Sequence, residues 1–224
     1  MTFSRLHITV FVGLVAVVWA LALVFNGTGV SREHLGPFSL VVTVLVLLWG
    51  VFEYRLWRHP WLHGWFVKRP DLRGTWRVEL KSDWVDPESG QETGALICYM
   101  GVEQTLSKLQ MHLMTLESES WLIAESICLS PSGRGYQVAG IYMNKPQVHL
   151  RGDRSQIHRG AFVLDTHGSA AWPDTMTGEY WTDRKTSGRM NLTSRVWDIA
   201  THFDEADVLF ASEPPANESS ERAQ

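Results

Sequence analysis

Cysteine is nearly absent from this chain, which has two in 224 residues, Cys98 and Cys128. Neither belongs to a Cys-x-x-Cys pair, so no thiolate metal site is spelled out. Both fall in strand-like segments and read as small apolar side chains bound for the interior; a disulfide stays open, though nothing asks for one. A basic excess is missing as well. The net charge of −4 gives no case for bulk DNA or RNA, which favours a basic face. Catalytic signatures are also lacking, with no His-Glu-x-x-His, no Gly-x-Ser-x-Gly and no phosphate-loop Gly-Lys-Ser/Thr. Ser132-Gly-Arg-Gly135 is a turn rather than a phosphate cradle, because no helix follows it. His112, His149, His158, His167 and His202 are scattered without ligand spacing. The expectation is a protein that is not an enzyme, with no catalytic residue, no metal and no cofactor.

The most consequential absence is charge. No Asp, Glu, Lys or Arg occurs from Leu6 to Val30 or from Leu35 to Phe52. A bilayer core needs about 20 apolar residues in helical form. Leu6–Phe25 and Leu35–Phe52 supply 20 and 18, around a polar turn at Asn26–His34. Residues 1–53 therefore read as a two-helix transmembrane hairpin. Ala20-Leu21-Ala22 resembles a signal-peptidase site, but the run is longer than a signal core and a second span follows at once. Arg55, Arg58, Lys68, Arg69 and Arg73 follow the second span, against Arg32 alone in the turn. By the positive-inside rule both termini face the cytoplasm, where thiols stay reduced. Residues 54–73 read as an interfacial stem with indoles of Trp57, Trp61 and Trp65 among the headgroups. His59 and His63 have a metal-compatible spacing, but Pro60 lies between them and no third ligand is evident.

From Gly74 to Val196 the period changes to two. Trp76, Val78 and Leu80 alternate with polar neighbours, and seven further strands are expected at 95–104, 107–116, 121–129, 135–144, 158–166, 176–184 and 188–196. Turn residues separate them, at Pro87–Gly90, Pro131–Gly133, Gly152–Asp153, Pro173–Asp174 and Thr186–Gly188. The fold class expected is two N-terminal transmembrane α-helices plus an all-β domain at 74–196. An eight-stranded antiparallel β-barrel removes the exposed edges and leaves room for side chains or one small ligand; a sandwich stays open. Residues 197–224 carry seven acids against Arg222 alone. They read as an acidic tail in which Val208–Ala211 can still pack and disorder begins at about 212.

Strand parity groups Tyr136, Tyr142 and Asn144 on one face, His158, Gly160 and Phe162 on the next with Arg159 opposite, and Gly178, Tyr180, Thr182 and Arg184 on a third. Glycine on a strand face marks close approach of a backbone or ligand, and arginine forks onto phosphate. Such a set fits a compact anionic ligand with aromatic rings. It fits equally a tyrosine-lined core with arginines at the rim.

Several segments together resemble a known family. They are Pro70-Asp-Leu-Arg-Gly-Thr-Trp76; Gln104 followed by Leu113-Met-Thr-Leu-Glu-Ser-Glu-Ser120; Tyr142-Met-Asn144; His158-Arg-Gly-Ala161; and Gly178-Glu-Tyr-Trp-Thr-Asp-Arg184 with Gly188. Their order behind two spans is similar to the SMODS-associating two-transmembrane, β-strand-rich effectors of bacterial CBASS antiphage systems, over about residues 1–196. The resemblance implies a cytosolic barrel that is a cyclic dinucleotide receptor. Ligand binding would promote homo-oligomerisation in the inner membrane, disruption of the bilayer and abortive-infection cell death. The ligand-binding residues so implied are Arg184 and Arg159 foremost, then Tyr142, Asn144, His158 and Tyr180, with Thr182 and Gln104. The alternative is a membrane-tethered, lipocalin-like barrel for an apolar small molecule.

Overall fold

The computed structural model describes residues 5–25, 27, 32–84, 90, 94–148 and 156–212. The chain divides into two compact units, residues 1–63 with 105–108, and residues 64–104 with 109–224. The expected turns at Asn26–His34, Pro87–Gly90 and Gly152–Asp153, both chain termini and the expected disorder beyond Ser212 lie wholly or largely outside the described residues.

In the first unit, helix α1 spans Arg5–Phe25 and α2 spans Arg32–Tyr54. Val17, Leu21, Val24 and Phe25 of α1 and Val44–Leu48 of α2 are exposed. Among the described residues no helix is long and apolar enough to cross a membrane; that covers the described side chains, which are a part of each helix. Near the end of α2, the Glu53 carboxylate accepts from the Thr105 hydroxyl (2.6 Å) and the Ser107 amide (2.9 Å). The stem is not one continuous helix. It forms two 3-10 turns, Leu56–Arg58 and Pro60–Leu62, because proline lacks an N–H and restricts the residue before it. His59 and His63 therefore do not share an α-helical face. Trp57, expected among headgroups, is fully buried, with the His63 ring 6.2 Å away; Trp61 is exposed.

The second unit is a barrel. Its strands are β1 (Gly74–Ser82), β2 (Leu96–Gln104), β3 (Leu109–Met114), β4 (Ser118–Leu129), β5 (Tyr136–Pro146), β6 (His158–Gly168), β7 (Pro173–Thr182) and β8 (Ser187–Val196). Each pairs antiparallel with the next, and β8 returns to β1 from Thr75↔Val196 to Ser82↔Gly188. The closed meander satisfies both edges and excludes the sandwich. Alternation sends Trp76, Val78, Val102, Val138, Leu164 and Leu192 inward, all with no exposed surface. They fill one end of the barrel as a hydrocarbon core. Leu72 and Trp76 close that end, the indole N–H donating to the Leu72 carbonyl (2.8 Å). Arg195 lies over Trp76 and Trp197, 4.8 and 4.4 Å from the ring centres, and donates to the Asp71 carbonyl.

Cys98 is buried, and desolvation pushes its thiol up to about 12. Cys128 is exposed on the outside of β4, contrary to the burial expected of it. The segment after β8 is also more than a solvated tail. Helix α3 (Phe203–Ser212) packs on the outer face of β2 and β3. Tyr99 lies between Phe203 and Phe210, each 5.2 Å away, and its hydroxyl donates to Asp207 (2.7 Å). The apolar positions Phe203, Ala206 and Phe210 recur at helical spacing inside the acidic sequence. Asp204 and Glu205 occupy the first turn, where the helix dipole favours them.

Candidate functional site

The other end of the barrel is hollow. A cavity of about 920 Å³ lies between the strand ends, bounded by the β3–β4 and β7–β8 turns and by Trp84, Gly94 and Ala95. That volume is near the top of the ~300–1,000 Å³ range of small-molecule sites. Its floor is apolar, with Met100, Met111, Met190, Leu122 and Phe162. Its walls and rim are polar, with Ser82, Ser118, Ser120, Asn144, Thr182 and Thr186 beside Tyr142, Tyr180, His158 and Arg184.

The tyrosines are positioned by glycines across the strand. Tyr142 pairs with Gly160, and a Cβ at Gly160 would run into the Tyr142 ring. Tyr180 pairs with Gly188, where a Cβ would come within 2.7 Å of the Tyr180 ring. The missing side chains let each ring lie across its neighbour and keep the space above it open. Burial raises the pKa of both phenols, the nearby Arg184 opposing this at Tyr142. Both hydroxyls are therefore donors at neutral pH.

Asn144 donates to the hydroxyls of Ser120 (2.9 Å) and Ser118 (3.0 Å), which holds its amide against the wall. The His158 Nδ1 lies 3.1 Å from the Gln156 carbonyl. A carbonyl only accepts, so Nδ1 carries the proton and Nε2 is left as an acceptor. Burial lowers the His158 pKa, against the Gln156 bond that raises it, and Arg184 lowers it further. The ring is neutral near pH 7.

Arg184 stands in the β7–β8 turn. Thr182 and Thr186 lock that turn through a 2.6 Å hydroxyl pair and an amide-to-carbonyl bond of 2.9 Å. Lys185 takes a left-handed backbone (φ 63°) to close it, a conformation that costs a side chain about 1–2 kcal/mol. Among the described lining residues Arg184 is the only Lys or Arg, with Glu117 the only acid. One guanidinium, a neutral imidazole, two phenols and a ring of hydroxyls can bind phosphate and sugar oxygens. The methionine and phenylalanine floor can stack with a planar ring.

A family model described as "Cap15, cyclic dinucleotide receptor domain" matches residues 67–194. The chain belongs to the Cap15 family. This is a CBASS effector family whose barrel is a receptor domain, not a known enzyme family. No curated protein matches the chain. The matched stretch covers β1 to β7 and most of β8, so α1, α2 and α3 lie outside it.

Within this Cap15 barrel, six of the eight residues expected at the ligand come together around the cavity: Arg184, Tyr142, Asn144, His158, Tyr180 and Thr182. Two do not. Arg159 is exposed on the outer face of β6, since its inward neighbours are His158 and Gly160, and its amide donates to Asp183. Gln104 is buried at the closed end, with its carbonyl oxygen on the Leu72 amide and its amide on the Pro70 carbonyl, both 2.8 Å. It fastens the entering chain to β2. Ser118, Ser120, Thr186, Trp84 and the three floor methionines were not expected there. Ser118 and Ser120 share the inward parity of Leu122, so alternation alone could have found them.

Proposed function

We propose that the chain is an antiphage effector whose hollow barrel end takes a cyclic dinucleotide. In this reading the phosphates meet Arg184 and the Thr182–Thr186 turn, and a base reaches down to Met100, Met111 and Phe162 between Tyr142 and Tyr180. The observation that carries it is the composition of the cavity, a single guanidinium and donor phenols above an apolar floor, inside a barrel of a cyclic dinucleotide receptor family.

Binding favours an assembled state only if that state holds the ligand better. The charge-free stretches Leu6–Phe25 and Leu35–Phe52 and the exposed apolar side chains of α1 and α2 support insertion into the bacterial inner membrane, and the basic residues Arg55, Arg58, Lys68, Arg69 and Arg73 support a cytoplasmic side for both termini. Homo-oligomerisation there would repack the helices and breach the bilayer, ending in cell death.

The test titrates the full chain in detergent with cyclic di-AMP, cyclic di-GMP, cyclic GMP–AMP and cyclic UMP–AMP by calorimetry. At least one binds, and Arg184→Ala weakens it by about 10- to 100-fold, the loss of a charge-assisted contact. Co-expressed with an active cyclic nucleotide synthase, the chain depolarises cells, and removal of residues 1–53 abolishes this. Toxicity retained by the truncated chain sinks the membrane step. The methionine floor favours one rival, a lipocalin-like barrel for an apolar molecule; fatty acids that raise Tm where all four cyclic nucleotides fail would establish it.

A further inference from the structure

The outside of the barrel is dressed unevenly. Over β1–β3, residues 198–210 cover Thr75, Tyr99, Gly101 and Met114. Over β4–β7 the outward side chains are exposed or half-buried, with His202 reaching only Glu119 at the edge of β4. The register lines up Ala124, Ile141, Ala161 and Trp181 as one row across four strands. The bulge between Leu122 and Ala124 turns Ile123 outward beside it, and the next row adds Ala139 and Val163. Ile123, Ile141 and Trp181 are 57%, 50% and 49% exposed. A contiguous apolar area of this kind on a sheet face marks an interaction surface.

Its border carries both signs. Lys145 stands opposite Glu119, and Glu179 opposite Arg189. The Arg159 amide is held by the Asp183 carboxylate. On β6, Asp165 follows Val163 on the same outward side, so an anionic bilayer or a nucleic acid laid on this face would meet four carboxylates. A second copy presents both signs to this mixed border, three cations and four carboxylates, so opposite charges can meet across a two-fold contact. We propose that the outer face of β4–β7 is where two copies of this chain pair.

The same strands form the cavity wall. Ile141 is followed by Tyr142, and Trp181 stands between Tyr180 and Thr182. A ligand that shifts either tyrosine moves a strand whose other side is the contact face. That the ligand strengthens the pairing rests on the receptor reading above; the pairing itself does not.

The full chain in nanodiscs or mild detergent is examined by light scattering and by a short bismaleimide, with and without the four cyclic dinucleotides. Cys128 is exposed on β4 at the border of the face and serves as the native cross-linking thiol. Wild type forms a cross-linked dimer through Cys128. Ile141→Glu and Trp181→Arg lower the dimer yield at least about tenfold, as central apolar contacts do when charged, while any cyclic dinucleotide affinity stays within about threefold. A wild type that is a single copy under all conditions overturns the proposal, as does association that both variants retain or that never cross-links Cys128. So does a single copy whose Trp181→Arg form loses only vesicle adsorption or a different protein, since the face then has another occupant. Pairing without nucleotide binding leaves this contact standing and removes the receptor reading.

Discussion

Along β1, β6 and β7 the inward positions change character half-way. On β1, Ser82 and Leu80 line the cavity while Val78 and Trp76 are fully buried; on β6, His158 and Phe162 line it while Leu164 is buried; on β7, Thr182 and Tyr180 give way to Met176. The strands and their pairing are shared by both ends, with parity shifted at the bulges of β4 and β8. The difference is side-chain volume and polarity. Large apolar groups fill the closed end, as an eight-stranded barrel allows. At the mouth the inward positions include Ser118, Ser120, Gly160 and Gly188, which leave a void. The receptor space therefore comes from what is missing inside a barrel of ordinary width.

That contrast can be broken from either side. Trp76→Ala opens the filled end and costs about 3–5 kcal/mol of stability, measured by chemical denaturation; Ser120→Ala at the mouth stays within about 1 kcal/mol, close to one hydrogen bond. Gly160→Ala drives a methyl group into Tyr142 and toward the Trp181 carbonyl. It costs about 1–3 kcal/mol of overpacking, seen as a lower Tm, and swings the phenol from its wall, so nucleotide affinity falls as well. An unchanged Tm would show that the ring is not held by the missing side chain. Lys185→Gly relieves the left-handed residue and raises stability by about 1 kcal/mol, while freeing the Arg184 turn and weakening binding. The smallest effect is in pH. Burial lowers the folded-state pKa of both His112 and His158, so their folded forms resist protonation. Their contribution is present above the unfolded pKa of about 6.5 and is lost as pH falls below it toward the folded values. Tm thus drops between about pH 7.5 and pH 5.5, and His158→Gln reduces the drop.

Much of the site was readable one residue at a time. Strand parity grouped Tyr142 with Asn144 on β5, His158 with Gly160 on β6 and Gly178 with Tyr180, Thr182 and Arg184 after it, and with the family resemblance it gave the six expected residues that line the cavity. Arg159 was misplaced because a guanidinium is attractive chemistry wherever it stands, although its parity opposed His158. Gln104 was misplaced because a buried amide serves a main-chain clasp as well as a ligand. The helix after β8 escaped notice because its acids outweigh Phe203, Ala206 and Phe210 in composition while leaving their spacing intact. Trp57 looked like an interfacial indole, since nothing local announces that a 3-10 turn will bury it.

Alternation and turn chemistry are local, so the amino-acid order alone determined eight strands, their inward faces and the two charge-free helical stretches. Closure of β8 on β1, the depth to which the interior is filled, the covering of β2 and β3 by α3 and the exposure of the β4–β7 face were decided only in three dimensions. Each depends on which distant side chains meet, and packing volume and desolvation are settled between neighbours in space.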